Sequence, residues 1–468
     1  EYRYVYASSA HTASDMSSWL LMGLPGVAYL SGTADAAWTA IGLAIGTYVN
    51  WLVVAKRLRN YTHVCGNSTT LPLFFSNRYR DNKRILSVIA ALLIIIFFVP
   101  YTASGFAACG KLFANLFGMD YLPAMLISAI VIVAYTTLGG FLAASTTDFV
   151  QSIVMTIAIV VVFGFGISKV GSFSAVMDNA KSMAGYFSLT HTHDVATGTA
   201  SPYSLLQIFS TLAWGLGYFG MPHVLLRFMA IGDANKLKLS RRVATVWVVI
   251  SMAVSVFIGV IGNAMTKAGV LPTLKDPETI ILVVADLISK HGVLATIIAG
   301  LILAGILAAT MSTADSQLLA ASSSASQNIL KEVFMKDMSE KTGMLIARIT
   351  VLVIALIGVF IARNPDSSVF QIVSFAWAGF GASFGPLVLL ALFWKRSTFQ
   401  GALCGMVSGG VMVFVWKFLI RPMGGALGIY ELLPAFLLGL AVNVIVSLLT
   451  PAPSREVQDE FDKVASMK

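Results

Sequence analysis

The chain has 468 residues, of which 57% are hydrophobic and only 11% charged. Soluble domains carry about 25% charged residues, so this sequence cannot cover a soluble surface, and its mean hydropathy of +0.82 agrees. The net charge of +9 sits in short loops between apolar runs, where membrane insertion places it, which argues against a nucleic-acid partner.

Runs long enough to cross a bilayer need about 20 residues. In chain order they fall at 6–30, 34–56, 84–112, 121–139, 142–170, 203–230, 242–267, 292–324, 343–363, 368–394, 399–420 and 429–450, numbered here as spans 1 to 12. Two shorter stretches, 69–80 and 277–290, read as helices lying at the membrane interface. Lys and Arg crowd the loop after span 2 (Lys56, Arg57, Arg59, Arg78, Arg80, Lys83, Arg84) and the loop after span 6 (Lys236, Lys238, Arg241, Arg242). They also mark the loops after span 8 (Lys331, Lys336, Lys341) and span 10 (Lys395, Arg396). All of these are even-numbered loops, so the positive-inside bias predicts that they face the cytoplasm with the C-terminus. Lys417 with Arg421, after span 11, is the exception. The expected architecture is one all-α integral membrane domain over 1–450, followed by a charged cytoplasmic tail, 451–468, without packed structure. The sequence begins Glu1-Tyr2-Arg3-Tyr4 with no initiator Met, so an earlier natural start is expected.

Two spans are interrupted. Span 1 is broken by His11-Thr12-Ala13-Ser14-Asp15-Met16-Ser17-Ser18-Trp19, polar residues at a depth where they are costly. Span 6 is broken by Trp214-Gly215-Leu216-Gly217-Tyr218-Phe219-Gly220-Met221-Pro222-His223, whose glycines and proline unwind a helix and free its carbonyls and amides. Irregular backbone in hydrocarbon is tolerated where it lines a cavity. Matching breaks in the first helix of two five-helix sets point to a transporter built from inverted repeats, about 6–170 and 203–394, with 399–450 as extra helices. A simple kink and Ser packing are the plain alternative. In span 8, Ala309, Ser312, Thr313 and Ser316 follow i, i+3, i+4, i+7 and share one face. Hydroxyls and carbonyls there suit sodium, or else back-bond within their own helix.

These segments resemble the sodium/solute symporter family and, within it, the sodium/proline symporters. The resemblance rests on Ser14–Gly23 (SDMSSWLLMG), Gly139–Asp148 (GGFLAASTTD), Trp214–Ala230 (WGLGYFGMPHVLLRFMA), Ala309–Leu319 (ATMSTADSQLL) and Ala376–Pro386 (AWAGFGASFGP). It implies a LeuT-type five-plus-five inverted repeat with thirteen helices, one of them N-terminal to span 1. It also implies a sodium site of the Ala13, Met16 and Ala309 carbonyls with the Ser312 and Thr313 hydroxyls, and Asp15 as the acidic residue of sodium coupling. The substrate pocket implied is Ser17, Trp19 and Gly23, Tyr135 of span 4, and Trp214, Tyr218 and Pro222. Where proline symporters usually read Gly-Gln-Pro-His in span 6, this chain has Met221 before Pro222 and His223, which leaves the solute open. A second sodium at Asp148, Asp315 and Ser316 stands beside the alternative that Asp148 caps or pairs near the end of span 5.

The remaining residues carry less chemistry. His191 and His193 lack a third ligand at useful spacing, and Cys65, Cys109 and Cys404 have no CxxC or Cys/His spacing. His223 reads as a hydrogen-bonded wall residue, and Arg227, Arg241 and Arg242 as interface markers with lipid phosphate as an option. No GxxxxGK[ST] loop is present, so ATP is not the driving force, and no enzyme is expected. The expected function is a sodium-coupled symporter in the plasma membrane of a bacterium, importing a small amino acid such as L-proline with sodium as the co-transported ion. The alternatives are another small carboxylate or amino acid as solute, a transporter-like solute sensor, or a passive channel.

Overall fold

In a bilayer, a run of apolar residues has one low-cost backbone, the helix, because every N–H and C=O is then satisfied within the segment. The computed structural model describes the backbone of residues 17–231, 237–334 and 339–467, without the side chains at 135, 138–149, 315, 332–334 and 340. Among the described residues, nine helices are long and apolar enough to cross a membrane, and three shorter apolar helices fall in the remaining predicted runs.

In chain order these are α1 (Trp19–Ser31), α2 (Thr33–Val64), the short α3 (Leu71–Arg78), α4 (Ile85–Phe117), α5 (Tyr121–Val170) and α6 (Phe173–Ser182). Strands β1 (His191–His193) and β2 (Ala200–Pro202) pair antiparallel, His191 opposite Pro202. Then come α7 (Leu205–Phe219), α8 (Pro222–Ala230), α9 (Leu237–Lys267), α10 (Ile280–Ser289), α11 (Val293–Ser323) and α12 (Glu340–Ala362). The chain ends with α13 (Val369–Phe393), α14 (Phe399–Met423), α15 (Leu432–Leu449) and α16 (Arg455–Ser466).

The even-numbered loops meet on one face. Arg59 Nε donates to Ile231 O, Asn328 Nδ2 donates to Thr70 Oγ1 at 3.0 Å, and the Tyr79 and Ser397 hydroxyls lie 2.8 Å apart. The odd-numbered loops meet on the other: Thr33 N donates to Tyr186 O at 2.9 Å, Tyr121 Oη to Ala362 O at 2.6 Å, and Tyr203 Oη to Asp35 Oδ1 at 2.9 Å. We call these the tail face, which carries α16, and the opposite face.

Helix α13 is the most buried of the nine, with 83% of its central stretch enclosed against 22–56% elsewhere. Its Ala376, Gly379, Gly381, Ala382 and Gly385 are all buried, and small residues let neighbouring backbones close in where lipid offers no hydrophobic drive. The functional groups described below gather around this helix.

Five expectations change. Spans 4 and 5 form one continuous helical segment of 50 residues, α5, so Gly139 and Gly140 do not end it. The stretch 69–80 does not lie on the surface: α3 is packed inward, with Phe74, Phe75 and Arg78 fully buried. The stretch 277–290 is likewise interior, with Glu278, Ile280, Ile281 and Ala285 buried. The tail is structured, because α16 is amphipathic and buries Val457, Phe461 and Val464. Finally, the exceptional Lys417 and Arg421 are not free loop charges. Arg421 Nη1 lies 2.7 Å and Lys417 Nζ 3.5 Å from the carboxylate of the fully buried Glu431.

Candidate functional site

The break in span 6 decides the geometry. Helix α7 tightens to a 3-10 turn over Ala213–Phe219, Met221 takes an extended conformation (φ −74, ψ 110), and Pro222 starts α8 at the position where its missing N–H costs nothing. Carbonyls released by the break are taken up from other helices. Trp377 Nε1 of α13 donates to Trp214 O at 2.8 Å, and Asn50 Nδ2 of α2 donates to Tyr218 O at 3.0 Å. Gly217 is required here, since a Cβ on it would stand 1.9 Å from Trp377 Nε1.

Around the break lies a small cavity of about 20 Å³, lined by Trp19, Leu43, Tyr101, Trp214, Tyr218, Met252, Val373 and Trp377. That is room for about one water. The Trp214 ring is 5.3 Å from Trp19, 5.5 Å from Phe370 and 5.1 Å from Tyr430, which stacks on it at 22°. Tyr218 meets Trp377 edge-on at 5.0 Å and 90°. Aromatic faces of this kind suit a compact apolar ring. The Trp19 Nε1–H is buried without a hydrogen-bond partner among the described residues, leaving one donor for a ligand acceptor.

Two larger cavities approach this box from either side. One on the opposite face, about 920 Å³, reaches Gly23, Trp214, Phe370 and Tyr430. One on the tail face, about 610 Å³, reaches Pro222, His223, Arg227 and Ser316. The aromatic box therefore stands between two vestibules.

Of the residues expected at a substrate site, Trp19, Trp214 and Tyr218 line the small cavity together. The Ser17 hydroxyl accepts from Trp19 N at 3.2 Å and starts α1. Gly23 lies under Phe370, where a Cβ would come to 3.2 Å of the Phe370 Cβ. Pro222 lines the tail-face vestibule instead, and Met221 is fully buried and off the small cavity. Tyr135 lies on α5, its side chain outside the described residues.

For the cation site, Ala309, Ser312 and Thr313 are brought together on α11. Both hydroxyls donate to Ala309 O at 3.1 Å, and all three residues are buried. Ala13, Asp15 and Met16 lie outside the described residues, as do the side chains of Asp148 and Asp315. Ser316 faces the tail-face vestibule. Among the described residues no group of three or more His, Cys, Asp or Glu could hold a metal, and the His193 ring contacts Ala184 O at 2.8 Å. His223 is buried beside Phe98 and Tyr101.

Sequence reasoning missed Leu43, Tyr101, Met252, Val373, Trp377, Phe370 and Tyr430. Trp377 stood inside a quoted string, AWAGFGASFGP, and its signal was available: a large aromatic among seven Ala, Gly and Ser residues needs a partner to fill. Lys111 in span 3 and Glu278 were also passed over, although ionisable residues at membrane depth are functional by default. Lys111 Nζ lies 2.8 Å from Glu278 Oε2 and 2.7 Å from Asp276 Oδ2.

Comparisons with known proteins agree with this arrangement. Residues 4–409 match the model of the sodium:solute symporter family. A sodium/proline symporter of Staphylococcus aureus (strain USA300) is 40% identical over 467 residues, which is 98% of this chain and 88% of that protein. Among solved structures, a Na⁺-coupled sialic acid symporter in a substrate-bound outward-open state superposes with a TM-score of 0.76 at 17% identity, covering 97% of this chain and 91% of the other. Mhp1, a nucleobase-cation-symport-1 family transporter in a closed conformation with bromovinylhydantoin bound, gives 0.56 at 13%, covering 98% and 96%. At these identities the structural likeness speaks for the fold.

Proposed function

This chain belongs to the sodium:solute symporter family, and from that premise we propose that it imports L-proline with sodium by alternating access. The observation that carries the reading is the aromatic box between two vestibules, walled in part by Trp19, whose buried N–H has no partner among the described residues. A pyrrolidine ring stacks on Trp214 and Tyr218, and its carboxylate takes the indole donor. Opening toward one vestibule and then the other moves the solute across, and the box must widen well beyond about 20 Å³ to hold it.

Sodium sits against Ala309, Ser312 and Thr313 with the Ala13 and Met16 carbonyls, and Asp15 couples its binding to the ordering of span 1. Asp148, Asp315 and Ser316 form a second site in those cycles that move two ions. The tail face is the cytoplasmic one, in the plasma membrane of a bacterium, and the helices follow a LeuT-type inverted repeat of five plus five. The energy suffices: one charge moved across 100 mV is worth about 2.3 kcal/mol, and a tenfold sodium gradient adds about 1.4 kcal/mol.

The test is uptake of labelled L-proline into proteoliposomes under sodium, proton or potassium gradients. Accumulation driven by sodium alone supports the reading, and Asp15→Asn and Thr313→Ala then raise the sodium requirement about tenfold or more. Sodium-driven uptake of another small carboxylate but not of L-proline moves the solute. No accumulation under any gradient overturns symport.

A further inference from the structure

The connection 424–431 between α14 and α15 belongs to neither of the two predicted repeats, yet it delivers one side chain to the aromatic box. Tyr430 is 8% exposed, and its ring stacks on Trp214 at 5.1 Å and 22°. Its hydroxyl donates to Ser374 O of α13 at 2.6 Å, and its N–H donates to Ser210 Oγ of α7 at 2.7 Å. The neighbouring residues are held as well. Trp416 Nε1 donates to Ile429 O at 3.3 Å, and the buried Glu431 carboxylate lies between Arg421 and Lys417. Leu432 packs on α13 at Gly381, where a Cβ would come to 2.7 Å of Leu432 Cδ1. Trp214 needs this support, because it sits in the 3-10 turn Ala213–Phe219, where hydrogen-bond geometry is poorer than in an α-helix. Trp377 Nε1 fixes the Trp214 carbonyl, but that bond holds the backbone and leaves the ring free to turn. Among the rings around Trp214, that of Tyr430 is nearest and most nearly parallel. Trp19 lies at 5.3 Å and 37°, Phe370 at 5.5 Å and 49°, and Trp377 at 6.2 Å and 34°. Tyr430 does not wall the small cavity itself, so its action on a bound solute passes through Trp214.

We propose that Tyr430 is a positioning residue for solute recognition: anchored on Ser374 and Ser210, its ring sets the plane of Trp214 and so the width of the box offered to a small saturated ring. The helices beyond the repeats then take part in solute choice, although none of their side chains lines the cavity. The proposal rests on the symport reading above and names a residue that decides which ring the site accepts. Stacked aromatic pairs contribute beyond their buried area, and an aliphatic side chain offers no flat face to stack. Tyr430→Leu therefore frees the Trp214 ring, while Tyr430→Phe keeps the stack and gives up the Ser374 bond.

Sodium-driven uptake into proteoliposomes is measured against L-proline concentration, per inserted protein, with L-pipecolate, the six-membered-ring homologue, as competitor. Tyr430→Leu should raise the KM for L-proline about tenfold. It should also narrow the preference for L-proline over L-pipecolate at least about threefold, because a loosened pocket discriminates less well against one methylene. Maximal uptake and the half-saturating sodium concentration should stay within about threefold, the pattern of lost binding with the transport step kept. Tyr430→Phe should stay within about threefold of the unaltered protein on every measure. An unchanged KM or an unchanged preference overturns the proposal. A fall in maximal uptake as large as the rise in KM also overturns it, since that marks a residue needed for packing alone. So does a Tyr430→Phe variant as weak as Tyr430→Leu, since the stack then does nothing. If Tyr430→Leu does not reach the membrane, Tyr430→Met, which fills space without a flat ring, is read by the same criteria. If the unaltered protein accumulates another small amino or carboxylic acid in place of L-proline, the solute reading fails. The KM of that solute, and its preference over its next larger homologue, then decide the role of Tyr430. No accumulation of any solute by the unaltered protein overturns symport, and this proposal with it.

Discussion

The two ends of α13 are held by opposite charges in opposite ways. At its N-terminus the Glu278 carboxylate meets two backbone amides, a hydroxyl and an ammonium, all within 3.0 Å. At its C-terminus the fully buried Arg78 donates Nε to Ala391 O at 3.0 Å. Both signs suit the helix dipole. The difference is in saturation. Arg78 Nη1 and Nη2 are buried without hydrogen-bond partners among the described residues, and the guanidinium is enclosed by the rings of Tyr79, Tyr61 and Phe461 at 5.0, 5.2 and 5.6 Å. One of those rings comes from α16, a helix held to the tail face by Arg80 with Glu456 and Glu460 and by Lys395 with Asp462. The first anchor is made of core elements and fully paired. The second is a caged cation that depends in part on a peripheral helix, and a charge without full pairing contributes less than its burial suggests.

The comparison can be broken by measuring both ends. Glu278→Ala leaves the buried Lys111 ammonium with Asp276 alone and two α13 amides without their acceptor, and should cost about 2–5 kcal/mol, the penalty for orphaned buried donors. Thermal unfolding of the purified protein in detergent checks this. Arg78→Met keeps the stem but removes an underpaired charge, so its cost should stay below about 2 kcal/mol. If Arg78→Met proves the more damaging of the two, the contrast is wrong. Phe461→Ala should loosen α16 by about 1–3 kcal/mol, seen as faster protease cleavage of the tail with the nine long helices intact. The smallest effect is that of salt. The ion pairs of α16 are at least partly exposed, and raising ionic strength from about 0.15 to 1 M shortens the screening length from about 8 to about 3 Å. Tail cleavage should accelerate severalfold, while the difference in unfolding temperature between Glu278→Ala and the unaltered protein should not change.

Much of the fold was legible in the residues. The apolar runs matched helices because about 20 residues of hydrocarbon-compatible side chain have no other backbone open to them. Gly215, Gly217, Gly220 and Pro222 marked the break, because three glycines within six residues followed by a proline weaken an α-helix. The even-loop charges clustered on one face as expected. The tail was misjudged because α16 is too polar to look like a core element, and its buried side, Val457, Phe461 and Val464, has meaning only against the α2 and α3 surface. Residues 69–80 and 277–290 were placed at the interface because amphipathic stretches of that length look the same whether they meet lipid headgroups or protein.

At the site the division is sharper. Trp19, Trp214 and Tyr218 were named by the family resemblance of the strings around the breaks, and the shared face of Ala309, Ser312 and Thr313 followed from helical spacing. The partners that complete the box could not be named. Trp377 reaches Trp214 O across 163 positions, and Arg78 reaches Ala391 across 313. Local composition determined what each segment is: a membrane helix, a broken helix, a basic loop, a hydroxyl-bearing face. Only the tertiary structure decided which segments share an interior, because a distance between residues so far apart along the chain is set by how all the intervening helices pack and by no property of either residue.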